Sequence, residues 1–192
     1  MKIQYFALLV LLFLLTVNIY AHGPEDSTSN GAIAGDIFPD SVSTREIAIL
    51  GLAIIAASLS TGAVWFVTGR QMSIILIAAT LLTMLTGFIH LAVGRTGEWL
   101  LLANGAGYCA IAVFRSLSFV RTSQFNKFVI LGLMVYTMIT FAGYFLTHNH
   151  FDVIGLASKA VEVILFIILL RELLTSNREE DAVITPSASP AI

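Results

Sequence analysis

Five long apolar runs follow one another along this 192-residue chain, and no other feature restricts its possible folds as strongly. The runs lie near residues 46–68, 72–94, 98–118, 128–147 and 153–171. Each is close to the roughly 20 residues that an α-helix needs to cross a bilayer. Short connectors separate the runs, which favours antiparallel neighbours in one bundle. The sequence therefore predicts an all-α integral membrane helical bundle with five transmembrane helices within residues 46–173.

Composition excludes several other classes of protein. Hydrophobic residues make up 57% of the chain and charged residues only 11%, whereas a soluble domain carries roughly a quarter charged residues. With 10 basic and 12 acidic residues there is no cationic surface for nucleic acid. Cys109 is the single cysteine, which excludes a disulfide framework and a multi-thiolate metal site. These counts exclude a soluble enzyme, a disordered chain and a nucleic-acid-binding protein.

The first 21 residues have the pattern of a secretory signal peptide. Lys2 precedes an apolar run over 6–17, and Ala21 is the small residue expected at a cleavage site. An uncleaved first span is the alternative, but Asn18 interrupts the run before it reaches about 20 residues. We therefore expect cleavage after Ala21, which makes His22 the new N-terminus.

Polar segments flank the predicted membrane domain. Residues 22–45 are acidic and rich in turn-forming residues, which predicts a short outer segment without a fold of its own. Residues 174–192 are polar and end in a Pro/Ser-rich stretch, which predicts a disordered cytoplasmic tail. The chain thus divides into a signal peptide (1–21), an outer segment (22–45), a membrane domain (46–173) and a tail (174–192).

The placement of basic residues gives the direction of the spans. If the signal peptide is removed, the chain enters the first span from outside. The inner segments then carry Arg70, Arg115, Arg121, Lys127, Arg171 and Arg178, and the outer ones only Arg45 and Arg95. This distribution agrees with the positive-inside rule. We therefore expect a multi-pass plasma-membrane protein with its N-terminus outside and its C-terminus in the cytoplasm, and with Arg115 snorkelling to the inner surface.

All four histidines fall on the outer side in this topology. They are His22, His90, His148 and His150, and the carboxylates of Glu98 and Asp152 flank the same surface. Imidazole and carboxylate together suit copper or zinc, so these residues form a candidate metal site. The alternatives are solvated loop histidines at 148 and 150, and a His90 hydrogen-bonded to Thr83 or Thr86 inside the bundle. Haem held axially by His90 and His148 is a further alternative.

Lys159 and Glu162 stand within the fifth predicted span. They are three residues apart, so they share one helix face and are able to pair. Counted from Val153 at 1.5 Å per residue, they lie roughly 9–14 Å into the bilayer. An isolated charge there costs about 2.5–3.5 kcal/mol. The pair is either a structural ion pair or a proton or ion relay, and Asn104 or Tyr108 from the third span could complete its network.

Two resemblances accompany these features. The stretches 87–91, 98–108 and 155–162 resemble small polytopic membrane proteins of archaea that have no assigned function. That resemblance covers most of the membrane region and implies no particular activity. The Ala21-His22-Gly23 junction is similar to the start of the mature copper-binding B subunit of particulate methane and ammonia monooxygenases. It covers His22 alone and implies a copper ligand there.

Three functions are compatible with these features. The first is a non-enzymatic accessory subunit of a larger membrane complex, with a copper or zinc site on its outer face. The second is a small transporter or metal-uptake protein that uses Lys159, Glu162 and the outer histidines. The third is a redox subunit linked to haem or quinone. The bilayer and other membrane protein subunits are the expected partners.

Overall fold

The computed structural model describes residues 42–68, 72–94, 98–122, 125–147 and 152–184. Within these ranges the chain is all-helical and has no strand, which confirms the predicted all-α class there. The helices are α1 (Thr44–Val67), α2 (Ile74–Gly94), α3 (Trp99–Ser116), α4 (Ser118–Arg121), α5 (Phe125–Thr147) and α6 (Val153–Ile184). The predicted signal peptide and most of the predicted outer segment lie outside the described residues.

Four stretches of these helices are long and apolar enough to cross a membrane. They are Thr44–Val67, Ile74–Gly94, Phe125–Leu146 and Val153–Thr175. Helix α3 is not among them, because its 18 residues include Asn104 and Arg115. Apolar side chains also cover the outside of the bundle, as Ile74 and Leu146 show by being 82% and 84% exposed. A surface of this kind fits association with a lipid bilayer.

Helix α1 begins where its sequence offers the best cap. The Ser43 hydroxyl accepts a hydrogen bond from the Glu46 backbone N–H at 3.1 Å, and the Glu46 carboxylate accepts one from the Ser43 backbone N–H at 2.7 Å. This reciprocal capping box satisfies two backbone donors that a helix start leaves unpaired. The helix therefore begins at Thr44, slightly before the apolar run that predicted it.

Helix α6 continues past the predicted end of the last span. The prediction placed a disordered tail from residue 174 onward, but residues 174–184 are helical, which corrects that boundary. The physical reason is local, since this stretch contains helix-forming Leu, Arg, Glu and Ala residues and no Gly or Pro. The Pro/Ser-rich end of the predicted tail lies outside the described residues.

Helix α2 is the centre of the bundle. It packs against α1, α3 and α6, and 61% of its membrane-length window is buried, against 22–33% for the other three windows. Its approach to α3 is close because glycines face each other there. A Cβ added to Gly105 would lie 2.6 Å from the Gly87 carbonyl oxygen and 2.7 Å from the Leu91 backbone nitrogen. Small residues at such a contact let helix backbones pack tightly.

Two apolar clusters fill the bundle. One lies mainly between α1, α2 and α3, with Ala53, Ala57, Met84 and Phe88 fully buried in it. The other joins α3, α5 and α6 and includes Ile130, Leu133, Leu165 and Leu169. These four residues, here called the apolar layer, are no more than 1% exposed.

Candidate functional site

Lys159 and Glu162 of α6 form an ion pair inside the bundle. The Lys159 ammonium donates to both carboxylate oxygens of Glu162, at 2.6 and 2.8 Å. Lys159 is 4% exposed and Glu162 is completely buried. Their spacing on one helix face brings them together, as expected for residues three apart. Because both charges are enclosed, each depends on the other to compensate for lost hydration.

His90 of α2 faces the same carboxylate from across the helix interface. Its Nδ1 lies 2.8 Å from the Thr86 carbonyl oxygen, and its Nε2 lies 3.8 Å from Glu162 Oε1. A carbonyl oxygen only accepts, so the Nδ1–H must be the donor in that bond. In the neutral ring Nε2 therefore carries the lone pair, and it faces the carboxylate.

Tyr108 of α3 and Thr140 of α5 extend this group. The Lys159 ammonium donates to the Thr140 backbone carbonyl at 3.2 Å. The Thr140 hydroxyl lies 2.7 Å from the Tyr108 hydroxyl, and the centroid of the Tyr108 ring lies 5.8 Å from that of the His90 ring, with the two rings tilted by 34°. These five residues, His90, Tyr108, Thr140, Lys159 and Glu162, are here called the buried polar cluster. They come from four different helices, so the cluster exists only in the assembled bundle.

A pocket connects the buried polar cluster to the end of the bundle where α5 ends and α6 begins. Its lining includes His90, Lys159, Tyr144 and Gly155, with Asp152 at the exposed end, and we call it the Asp152 pocket. A Cβ on Gly155 would meet the Tyr144 hydroxyl and the Asp152 carboxylate, so a larger residue there would force these two side chains to move. Polar atoms thus lead from the surface to Lys159.

The opposite direction is closed by hydrophobic side chains. Beyond Glu162 the next two turns of α6 place Leu165 and Leu169 in the apolar layer. Past that layer, Arg115 of α3 donates to the Glu172 carboxylate of α6. Arg115 is only 2% exposed, so it is paired inside the bundle and does not snorkel as the sequence predicted. The buried polar cluster is therefore open toward one end of the bundle, and an apolar cleft between α5 and α6 reaches Glu162 from the side, past Phe141 and Phe166.

The predicted metal site is not assembled among the described residues. His90 and Asp152 line the same pocket, but in the described part of the chain no three His, Cys, Asp or Glu side chains come together as a metal site. Glu98 is exposed at the start of α3, before Trp99. His22, His148 and His150 lie outside the described residues, as does the second axial ligand of the haem alternative.

Some members of the site were visible in the sequence and others were not. Tyr108 was named there as a possible partner of the Lys159–Glu162 pair, and His90 does bond to Thr86, through the backbone carbonyl. The link between His90 and Glu162 and the role of Thr140 were missed. A polar stripe on α5 that includes Thr140 was the available signal, but periodicity does not tell which helix it faces.

These observations define the class of the molecule: a polytopic helical membrane protein with a buried polar cluster near one end of its bundle. The chain matches no protein-family model, no curated protein and no solved structure. Its function is therefore argued from the chemistry of the cluster.

Proposed function

We propose that this protein is a small membrane transporter that exchanges protons for a cargo at the buried polar cluster. The observation that carries the proposal is the position of His90, whose Nε2 lone pair lies 3.8 Å from Glu162 Oε1. A proton bound to either of these two acceptors would be shared with the other after they approach by about 1 Å, to hydrogen-bond distance. Ionisable groups inside membrane spans commonly form proton relays or ion sites.

The charges around this position make the proton exchangeable. With Lys159 protonated and Glu162 ionised, the cluster carries no net charge when His90 is neutral. One added proton between His90 and Glu162 makes the cluster cationic and weakens the hold of Glu162 on Lys159. The hydrogen-bonded hydroxyls of Tyr108 and Thr140 add polar groups beside the ion pair, which helps the low-polarity interior to tolerate both states. Protonation thus changes the strength of the ion pair that closes the site.

Polar access from one end of the bundle supports a transport role over a purely structural one. The Asp152 pocket reaches Lys159, while the apolar layer blocks the path toward Arg115. Alternating access requires a central site that opens to one side at a time. A structural ion pair gains nothing from a pocket that reaches its ammonium group.

The proposed topology has five spans, with α3 as the third. The charge of Arg115 in α3 is compensated inside the bundle, since Arg115 pairs with Glu172. We further propose that a signal peptide is removed after Ala21, that the Asp152 end faces outward and that the C-terminus is cytoplasmic in the plasma membrane. The signal-peptide pattern and the positive-inside distribution support this orientation independently.

The test uses proteoliposomes that contain a pH-sensitive dye. Gradients of Na⁺, K⁺, Zn²⁺ and methylammonium are imposed in turn at equal internal and external pH, and the signal of protein-free liposomes is subtracted. We expect at least one cation to drive protein-dependent proton movement. The rate should fall by about tenfold or more in Glu162→Gln and in the Lys159→Leu/Glu162→Leu double variant.

A matched control is Glu179→Gln, which removes a carboxyl group in the part of α6 beyond the candidate span. This variant should keep the wild-type rate. The proposal is wrong if no cation moves protons, or if the double variant folds and transports as the wild type does.

The accessory-subunit alternative with a copper or zinc site stays a prediction. Three of its four histidines lie outside the described residues, and its test is elemental analysis of purified wild type against a His90→Ala/His148→Ala/His150→Ala variant. Equal metal content in both proteins would contradict it. The haem alternative is tested by the optical spectrum, in which a Soret band is required.

A further inference from the structure

The ammonium group of Lys159 sits in a cage built from three kinds of cation ligand. The Glu162 carboxylate contacts it through both oxygens, at 2.6 and 2.8 Å, and the Thr140 carbonyl oxygen lies 3.2 Å away. The Tyr144 ring presents its centroid 5.5 Å from the ammonium nitrogen, within the range of a cation–π contact. A carboxylate, a carbonyl and an aromatic face are the groups that a separate ammonium ion would also require.

The three ligands of the cage come from residues other than Lys159. Glu162 is one turn further along α6, while Thr140 and Tyr144 lie four residues apart on one face of α5. If the side chain of Lys159 withdraws, these ligands still surround a space about the size of an ammonium group. The negative charge of Glu162 in this space favours a cation. The geometry points to Lys159 as a tethered occupant of a site for another cation.

We propose that the cargo of the proposed transporter is a small ammonium-type cation, either ammonium itself or a primary alkylammonium, which displaces the Lys159 ammonium from this cage. The inference rests on the proposed function. The cage now holds an N–H cation, which donates to the carboxylate and the carbonyl and lies beside the Tyr144 ring. An ammonium-type cargo reproduces all three contacts, whereas a metal ion would have to replace the hydrogen bonds by direct coordination to the same oxygens.

The path to the cage fits a cation. The Asp152 carboxylate lies at the open end of the pocket, where its charge attracts cations from water. The Tyr144 hydroxyl and the Asp152 carboxylate converge at Gly155. An entering cation thus passes from one carboxylate to the other while it stays next to the same aromatic ring.

The exchange conserves charge. Lys159 loses one proton from its –NH₃⁺ group to water at the open end of the pocket, so an N–H bond breaks and an O–H bond of hydronium forms. The neutral amine leaves Glu162, and the incoming R–NH₃⁺ takes its hydrogen bonds. One cation enters as one proton leaves, and no electron is transferred. The titratable side chains near Glu162 besides Lys159 include His90, Tyr108 and Tyr136. For release, His90 Nε2 takes up one proton and passes it to the Lys159 amine, and the re-formed ammonium displaces the cargo from Glu162.

The first experiment measures selectivity in the wild-type protein. Uptake of radiolabelled methylammonium into proteoliposomes is followed without a pH gradient, and the rate of Glu162→Gln is subtracted to remove passive permeation of the free amine. We expect unlabelled ethylammonium to compete about tenfold better than Na⁺ or K⁺. If Na⁺ or K⁺ drives Glu162-dependent proton exchange and methylammonium does not, the inference fails while the proposed transport function stands.

The second experiment tests the cage without transport. In Lys159→Ala the tethered occupant is removed, so ethylammonium should raise the apparent Tm by a few degrees, since a ligand that binds only the folded state stabilises it. The Lys159→Ala/Glu162→Gln variant should not respond, and Na⁺ at the same concentration should have no effect. Equal responses to ethylammonium and Na⁺ would overturn the inference. If Lys159→Ala does not fold, the competition experiment on the wild type decides alone.

Discussion

Removal of one partner from the Lys159–Glu162 pair should destabilise the protein far more than removal of both. The two residues are 4% and 0% exposed, and both Glu162 oxygens accept from the ammonium. Breaking a buried pair leaves an uncompensated charge and costs about 3–5 kcal/mol, whereas replacing both partners by apolar residues is close to neutral. We expect Glu162→Leu to lose about 4 kcal/mol and Lys159→Leu/Glu162→Leu to stay within about 1 kcal/mol of the wild type.

The two single variants should not be equal. In Lys159→Leu the remaining carboxylate has His90 Nε2 at 3.8 Å, so an added proton can neutralise the charge. In Glu162→Leu the remaining ammonium keeps the Thr140 carbonyl and the Tyr144 ring and can lose its charge only by releasing a proton, which a low pH opposes. Lys159→Leu should therefore be the milder change, and its deficit should shrink as the pH is lowered and the carboxylate takes up a proton.

The measurement is a double-mutant cycle on reversible unfolding in mixed micelles, followed by the fluorescence of Trp65 and Trp99. Lys127→Met serves as a control for loss of a basic residue outside the buried polar cluster. The reasoning is refuted if the double variant loses the sum of the two single losses. It is also refuted if all three variants lie within about 0.5 kcal/mol of the wild type.

Two further predictions concern the packing of the bundle. Gly105→Ala should cost about 1–3 kcal/mol in thermal or denaturant unfolding, because its Cβ would lie 2.6 Å from the Gly87 carbonyl oxygen. The same change at Gly132, which has nothing within 4 Å, should be neutral or stabilising, and equal losses at both sites would contradict the close approach. At the other buried pair, Glu172→Leu should destabilise more than Arg115→Leu, because Arg115 is 2% exposed while Glu172 is 20% exposed and can reach polar surroundings. A larger loss of stability in Arg115→Leu than in Glu172→Leu, measured from unfolding curves, would contradict this prediction.

The helices were predictable because they depend on local sequence. Apolar runs of about 20 residues located α1, α2, α5 and the membrane-length part of α6. Hydropathy predicted a span least clearly at α3, where Asn104 and Arg115 lower the mean hydropathy of the helix. The end of α6 was placed too early, since hydropathy reports where a span ends and says little about where a helix ends.

The site was predictable only where its partners are close in sequence. The spacing of Lys159 and Glu162 was sufficient to propose their pairing. The approach of His90 to Glu162 and the pairing of Arg115 with Glu172, 57 residues apart, depend on which helices pack together. Helical periodicity defines the face of each helix but not its neighbour, so these contacts required the assembled bundle.

The pairing of Arg115 with Glu172 also has a consequence for biogenesis. When α3 leaves the ribosome, Arg115 cannot yet pair with Glu172, because α6 has not been synthesised. A helix that is only marginally apolar and carries an unpaired charge partitions poorly into lipid by itself. Stable insertion of α3 would therefore wait for the last helix. Truncation before Glu172 should leave α3 poorly retained in the membrane even though its own sequence is intact.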